Sequence, residues 1–197
     1  MTNDVFLGPD GADVNNLVIA EFQILDWIAS LHNGFLDSVL PVISAFGDKG
    51  IGWIILSLIL LCFPKYRKAG LAMALALIFC LIIGNMTLKP LIARPRPYSY
   101  FPEMQLLIPP LEDFSFPSGH TFASFASATS LFLFHRKEGI AAGILAAVIA
   151  FSRMYFYVHF PTDILAGIIL GIASGFTEFK LISWYQNRYQ PRWLKLR

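Results

Sequence analysis

Three short stretches hold the residues of this sequence best suited to chemistry: Lys89-Pro-Leu-Ile-Ala-Arg-Pro-Arg96-Pro97, Pro117-Ser118-Gly119-His120, and Ser152-Arg153 followed by His159 and Asp163. Lys89, Arg96 and Arg153 offer donors to anionic oxygens, the arginines as planar forks and the lysine as a point charge. Each alone also reads as a helix-end cation that snorkels to or anchors at a lipid headgroup. Ser118 can cap a helix whose first turn, with the small Gly119, brings backbone N–H groups close to an anion; an ordinary helix start carries the same letters. His159 precedes Asp163 by four residues. A ring N–H bonded to that carboxylate would fix the tautomer and leave the other nitrogen as a nucleophile. The alternatives are a core histidine satisfied by a carbonyl, and an aspartate placed near the positive end of a helix that begins after Phe160-Pro161. His120, next to the capped helix start, is where a general acid-base would be needed. His32 and His135 stand in no such company and read as interfacial.

These residues need elements to carry them, and the composition says what kind. The chain has 197 residues, enough for a single domain over 1–197, with 56% hydrophobic and 14% charged residues and a mean hydropathy of +0.59. A soluble domain is about a quarter charged, so a water-soluble globule, a disordered chain and a nucleic-acid-binding module are all excluded as readings. A net charge of +2 is too small to argue for a polyanionic partner. Cys62 and Cys80 both lie in apolar runs, with no metal-ligand or disulfide pattern.

Residues 1–16 form a polar tail without the basic and apolar regions of a signal peptide. From Leu17 to Phe46 the apolar pattern, broken by Glu21, Asp26, His32, Asn33 and Asp37, predicts a surface-lying amphipathic helix and then a short membrane helix. Apolar spans follow at Ile51 to Phe63, Ala69 to Leu88, Thr121 to Phe134, Ile140 to Tyr157 and Ile164 to Ile182, and a basic tail closes the chain over 183–197. The expected fold is all-α: a polytopic membrane bundle of about six transmembrane helices with an amphipathic N-terminal helix. Gly167, Gly171 and Gly175, with Ser124 and Ala128, predict close helix packing. If loops alternate sides, all three stretches emerge together, and the basic residues at the other ends place those ends and both termini in the cytoplasm. Lys89, Arg94, Arg96 and Arg153 then sit in or beside membrane segments on the opposite side. Charge is costly there and usually functional, so the cluster suggests a bound anion.

The combination resembles the type 2 phosphatidic acid phosphatase superfamily of integral-membrane lipid phosphatases. Its signatures are Lys-x6-Arg-Pro, Pro-Ser-Gly-His and Ser-Arg-x5-His-x3-Asp, and all eleven fixed positions occur here in order and at the required spacing. The resemblance implies a phosphohydrolase without metal or cofactor that works through a phosphohistidine. In it His159 would attack phosphorus and Asp163 would orient it. His120 would protonate the leaving oxygen and then activate water. Lys89, Arg96, Arg153, Ser118 and the Gly119 backbone would hold the phosphate oxygens, with Ser152, Pro117 and Pro97 in support. Arg94 falls at a variable position and takes no role from the resemblance. The partners implied are the bilayer and a lipid phosphate, and the location a cell membrane with the site facing outward. The loop from Tyr98 to Phe116 would cover the entrance or lie on the interface. By analogy with small members of the superfamily the expected substrate is undecaprenyl diphosphate, with phosphatidylglycerophosphate or phosphatidic acid as the alternative. Vanadium-dependent halide oxidation and lipid transport without hydrolysis are remoter readings.

Overall fold

A computed structural model describes residues 16–189; the polar tail and the last part of the basic tail lie outside the described residues. The expected tail from residue 183 begins inside a helix that continues to Tyr189. Helix α1 (Asn16–Ala29) is amphipathic in an inverted sense. Its buried face carries Glu21, Phe22, Leu25 and Ile28, while Leu17, Ile24 and Trp27 point outward. Helix α2 (Gly34–Ala45) starts at Asn33, whose side chain accepts from the Phe35 and Leu36 amides. A 3-10 turn over 48–50 follows, in which Lys49 and Gly50 take left-handed conformations with φ of 51° and 72°. It leads the chain into α3 (Ile51–Cys62).

Helix α4 (Arg67–Phe79) continues through a π-helical stretch, Cys80–Leu88, into the short α5 (Lys89–Ile92). Thr87 Oγ1 donates to the Ile82 carbonyl five residues back, which suits the wider π turn. The bundle is completed by α6 (Gly119–Phe134), α7 (Arg136–Tyr155) and α8 (Pro161–Tyr189). Among the described residues, Gly34–Cys62, Arg67–Tyr100, Arg136–Tyr155 and Pro161–Tyr189 are long and apolar enough to cross a membrane. The chain is a multi-pass membrane protein of all-α architecture. The sixteen-residue α6 is shorter, and it is enclosed by α4, α7 and α8.

The six helices of the expected bundle are α2, α3, α4, α6, α7 and α8, with α1 before them. Helices α2 and α3 have 12 residues each and are about 18 Å long, the shortest of the six. Both ends of α2 touch α7, Asp37 through the Tyr155 hydroxyl and Ser44 through Arg153. It packs beside the outer turns of α7. Helix α1 packs at the end of the bundle that holds the three motifs, with Glu21 on Thr162 and Phe22 on Phe160. Helix α8 runs away from that end for 29 residues.

The glycine face of α8 makes the expected close contact, with α6 as its partner. A Cβ added at Gly171 would lie 2.8 Å from the Phe122 carbonyl, and one at Gly175 2.6 Å from Thr129 Cβ. Ser124 and Ala128 are buried as well: Ser124 accepts a 2.9 Å bond from the Trp53 indole of α3, and Ala128 lies in the bundle core. With small residues on both partners, α6 can be polar in lipid, because its backbone and serines never meet the acyl chains.

Candidate active site

The turn between α7 and α8 delivers His159, which is 1% exposed. Its Nδ1 faces Asp163 Oδ2 at 3.6 Å and the Ser115 hydroxyl at 3.3 Å. Asp163, at the start of α8, is held by the Phe160 amide at 2.8 Å, the Ser115 hydroxyl at 2.5 Å and Arg94 Nη1 at 2.7 Å. The carboxylate is thus fixed before it meets the ring. On the opposite edge His159 Nε2 lies 3.2 Å from Arg96 Nη1, beside a cation that would hold an anion in front of it. Burial pushes the imidazole down to about 3, against the upward pull of Asp163. The ring is neutral at ordinary pH, with a lone pair free on one nitrogen.

Lys89, at the start of α5, and Arg96 both grip Asp113 of the loop between α5 and α6. Arg96 also donates to the Asp113, Phe114 and Val158 carbonyls. Burial would raise the Asp113 carboxyl, but its hydrogen bond to Lys89 and the charges of Lys89 and Arg96 hold it at about 2. Arg153, 1% exposed, donates Nη1 to Ser44 at 2.8 Å. Its Nε and Nη2 are buried without a hydrogen-bond partner among the described residues. Two unsatisfied donors on a buried guanidinium cost several kcal/mol unless an acceptor meets them, and an oxyanion is the acceptor whose charge also matches.

Ser118 caps α6, accepting from the Thr121 amide, and its own amide donates to the Asp163 carbonyl at 3.2 Å. The two helix starts that carry the site are thereby tied together. A Cβ at Gly119 would come within 3.1 Å of Asn85 Oδ1 on the π-helical stretch, so the small residue there leaves the backbone accessible. Ser152 bonds within its own helix, to the Ile149 carbonyl, and supports α7 rather than the pocket. Pro97 is buried at the start of a 3-10 turn over 97–100, and Pro117 precedes the α6 cap. His120 Nε2 meets Asp48 Oδ1 at 2.8 Å.

One cavity of about 730 Å³ brings Lys89, Arg96, Gly119, His120, His159 and Asp113 to its wall. Its other wall is apolar, built from Ile54 and Leu58 of α3, Leu77 and Ile78 of α4, and Leu81. Leu58, Ile78 and Leu81 are also exposed on the outer surface, so the cavity joins a polar end to the lipid-facing side of the bundle. The loop from Tyr98 to Phe116 closes over the polar end, with Ile108 and Leu111 packed on Tyr155 and Phe156.

Three groups of residues escape the sequence reading. Arg94, left without a role, bridges Asp163, Thr162 and Glu21, and stacks on Phe160 at 4.0 Å. Glu21 of α1 is 2% exposed and also accepts from the Thr162 amide; an acid inside an apolar helix was its one signal. Ser115 and Asp113 sit in the covering loop, and Asp48 in a turn 72 residues from its partner, where no local pattern announces them.

The PAP2 superfamily profile matches residues 65–188. The undecaprenyl-diphosphatase of Sulfolobus acidocaldarius is 31% identical over 149 residues, 75% of this chain and 71% of that protein. The undecaprenyl-diphosphatase BcrC of Bacillus subtilis is 30% identical over 151 residues, 77% of each. Among solved structures, a transmembrane PAP2-type phosphatidylglycerolphosphate phosphatase from Bacillus subtilis superposes with a TM-score of 0.68 at 26% identity, over 89% of both chains. A cation-lined pocket opening to lipid and these relatives point the same way: the chain belongs to the PAP2 superfamily and is an integral-membrane lipid phosphatase.

Proposed function

We propose that the protein hydrolyses undecaprenyl diphosphate to undecaprenyl phosphate through a phosphohistidine on His159, at the extracytoplasmic face of a cell membrane. The observation that carries the reading is the convergence of His159 Nε2, Lys89, Arg96 and His120 on one cavity whose remaining wall is apolar. His159 Nε2 attacks phosphorus, and the bond to the leaving oxygen breaks with its electron pair going to that oxygen. Asp163 keeps Nδ1 protonated and stabilises the phosphoimidazolium. Water then attacks phosphorus, and the N–P electron pair returns to the ring. Lys89, Arg96, Arg153, Ser118 and the Gly119 backbone hold the non-bridging oxygens, where most phosphoryl-transfer catalysis lies. No step needs a metal.

The choice of tail and headgroup is supported by the names of the two relatives, and the likeness to the phosphatidylglycerolphosphate phosphatase favours a glycerophospholipid as the second reading. Orientation is supported by Lys65, Arg67, Lys68, Arg136 and Lys137, which lie at the end away from the site. In this orientation the C-terminal end of α8 is cytoplasmic and α1 lies on the outer face. The test is phosphate release by purified protein in detergent with EDTA, on undecaprenyl diphosphate, phosphatidylglycerophosphate and phosphatidic acid, with His159→Ala as control. Preference for the diphosphate that the substitution abolishes supports the proposal. Preference for a glycerophospholipid moves the substrate, and failure to release phosphate from any of them overturns the mechanism and leaves transport to be tested.

A further inference from the structure

The turn between α2 and α3 lies over the first residues of α6, and it holds one edge of the His120 ring. Asp48 Oδ1 accepts from Nε2 at 2.8 Å. Beside that bond, Gly47 packs on the neighbouring ring carbon: a Cβ there would lie 2.9 Å from His120 Cδ2 and 3.3 Å from Ile149 Cγ2. Cδ2 and Nε2 form one edge of an imidazole and Nδ1 lies on the other, so the turn occupies the first and leaves the second. The turn is itself fixed, by the left-handed Lys49 and Gly50 and by Ser44, which takes a bond from buried Arg153.

We propose that Asp48 is the positioning residue of His120, taking its Nε2 proton so that Nδ1 is the nitrogen that serves the leaving oxygen and then the attacking water. In the first step the Nδ1 proton passes to the oxygen that departs from phosphorus as the His159 N–P bond forms. In the second step Nδ1, now unprotonated, takes a proton from the water whose oxygen attacks phosphorus. The carboxylate keeps the same ring orientation in both steps and balances the imidazolium charge of the first. The inference rests on the phosphohistidine reading above and assigns to Asp48 what the three motifs leave without an owner.

The charged groups around the ring are Asp48 from the turn, Arg153 from α7 and Lys89 from α5. With Asp48→Asn the two cations remain and disfavour the imidazolium, so His120 loses its proton at lower pH. The measurement is kcat/KM across pH on two substrates: phosphatidic acid, whose alkoxide leaving group needs a proton, and p-nitrophenyl phosphate, whose leaving group does not. Asp48→Asn is expected to lower kcat/KM on phosphatidic acid by about 10- to 100-fold and to move the alkaline limb to lower pH, while p-nitrophenyl phosphate changes by less than about threefold. Asp48→Glu should restore much of the loss. In a His120→Ala background, Asp48→Asn should add nothing.

Gly47→Ala, which displaces the ring without touching the carboxylate, should show the same dependence on the leaving group and serves if Asp48→Asn fails to fold. Equal losses on both substrates with an unmoved limb, or a further loss in the His120→Ala background, overturn the inference. A wild-type protein active on lipid phosphates with an indifferent Asp48→Asn overturns it alone; a wild-type protein inactive on all of them overturns the reading beneath it.

Discussion

The two histidines of the site are held in opposite ways. His159 is 1% exposed, and its aspartate is itself clasped by an amide, a hydroxyl and a guanidinium. His120 meets a carboxylate whose side chain is 60% exposed, carried on a turn rather than on a helix. The difference matches the roles proposed for the two rings. A nucleophile has only to be neutral and aligned, and burial supplies both, as the depression of His159 to about 3 illustrates. The acid-base role proposed for His120 needs a path to water, and although its own side chain is 15% exposed, the Asp48 carboxylate bonded to it reaches solvent.

The largest expected effect is on the enclosed side. His159→Ala should lower kcat by at least about 1,000-fold on every lipid phosphate, with KM little changed, since it removes the bond-forming atom. His120→Ala should cost about 100-fold or more on a lipid monophosphate and clearly less on a lipid diphosphate, whose leaving group is a phosphate monoester; equal losses, under conditions where chemistry limits the rate, would erase the contrast between the two rings. Arg94→Ala leaves Glu21 buried without its cation, so the folded state should lose about 3 kcal/mol, read as a fall in melting temperature, and kcat should drop through Asp163. The double variant with Glu21→Ala should recover part of the stability but not the rate.

The pH dependence of stability has a definite sign. An unfolded chain protonates His159 near its ordinary value of 6.5, whereas the folded site refuses that proton until about pH 3. Stability should therefore fall as pH drops through that window, and His159→Gln should flatten the slope of unfolding free energy against pH. The smallest effect is expected at the loop. Asp113 grips the cations that substrate must use, so Asp113→Asn should lower KM and the inhibition constant of phosphate a few-fold; a rise would mean that Asp113 props those cations up instead.

The enclosed side was the more legible in the sequence. His159, Asp163, Arg153 and Ser152 fall within twelve residues, and the i, i+4 spacing at a helix start brings ring to carboxylate with no knowledge of the fold. The Lys89, Arg96 and Pro-Ser-Gly-His stretches could be placed on one side because apolar spans alternate. What stayed hidden is long-range. Glu21 meets Arg94 across 73 residues, and Asp48 meets His120 across 72, through pairings that depend on how short α2 is. Its 12 residues are apolar throughout most of their length, and only the contacts at both ends show how it lies against the outer turns of α7. Close packing of small residues was legible too, but small residues line several faces of α6, and composition does not choose which of them meets α8.

The seam of α6 with α8 has a mechanical consequence. Three glycines of α8 bring its backbone so near α6 that the added carbon of an alanine would collide with main-chain or Cβ atoms. Two rods in such contact cannot slide or part without losing packing along their whole shared length. Compliance must come from the other flank, where α3 and the π-wound continuation of α4 show leucines and isoleucines to the outside. Those side chains can part by rotamer changes alone, while the rigid seam keeps the starts of α6 and α8 in register. The molecule is stiff where the atoms of the site are aligned and softer along its apolar flank.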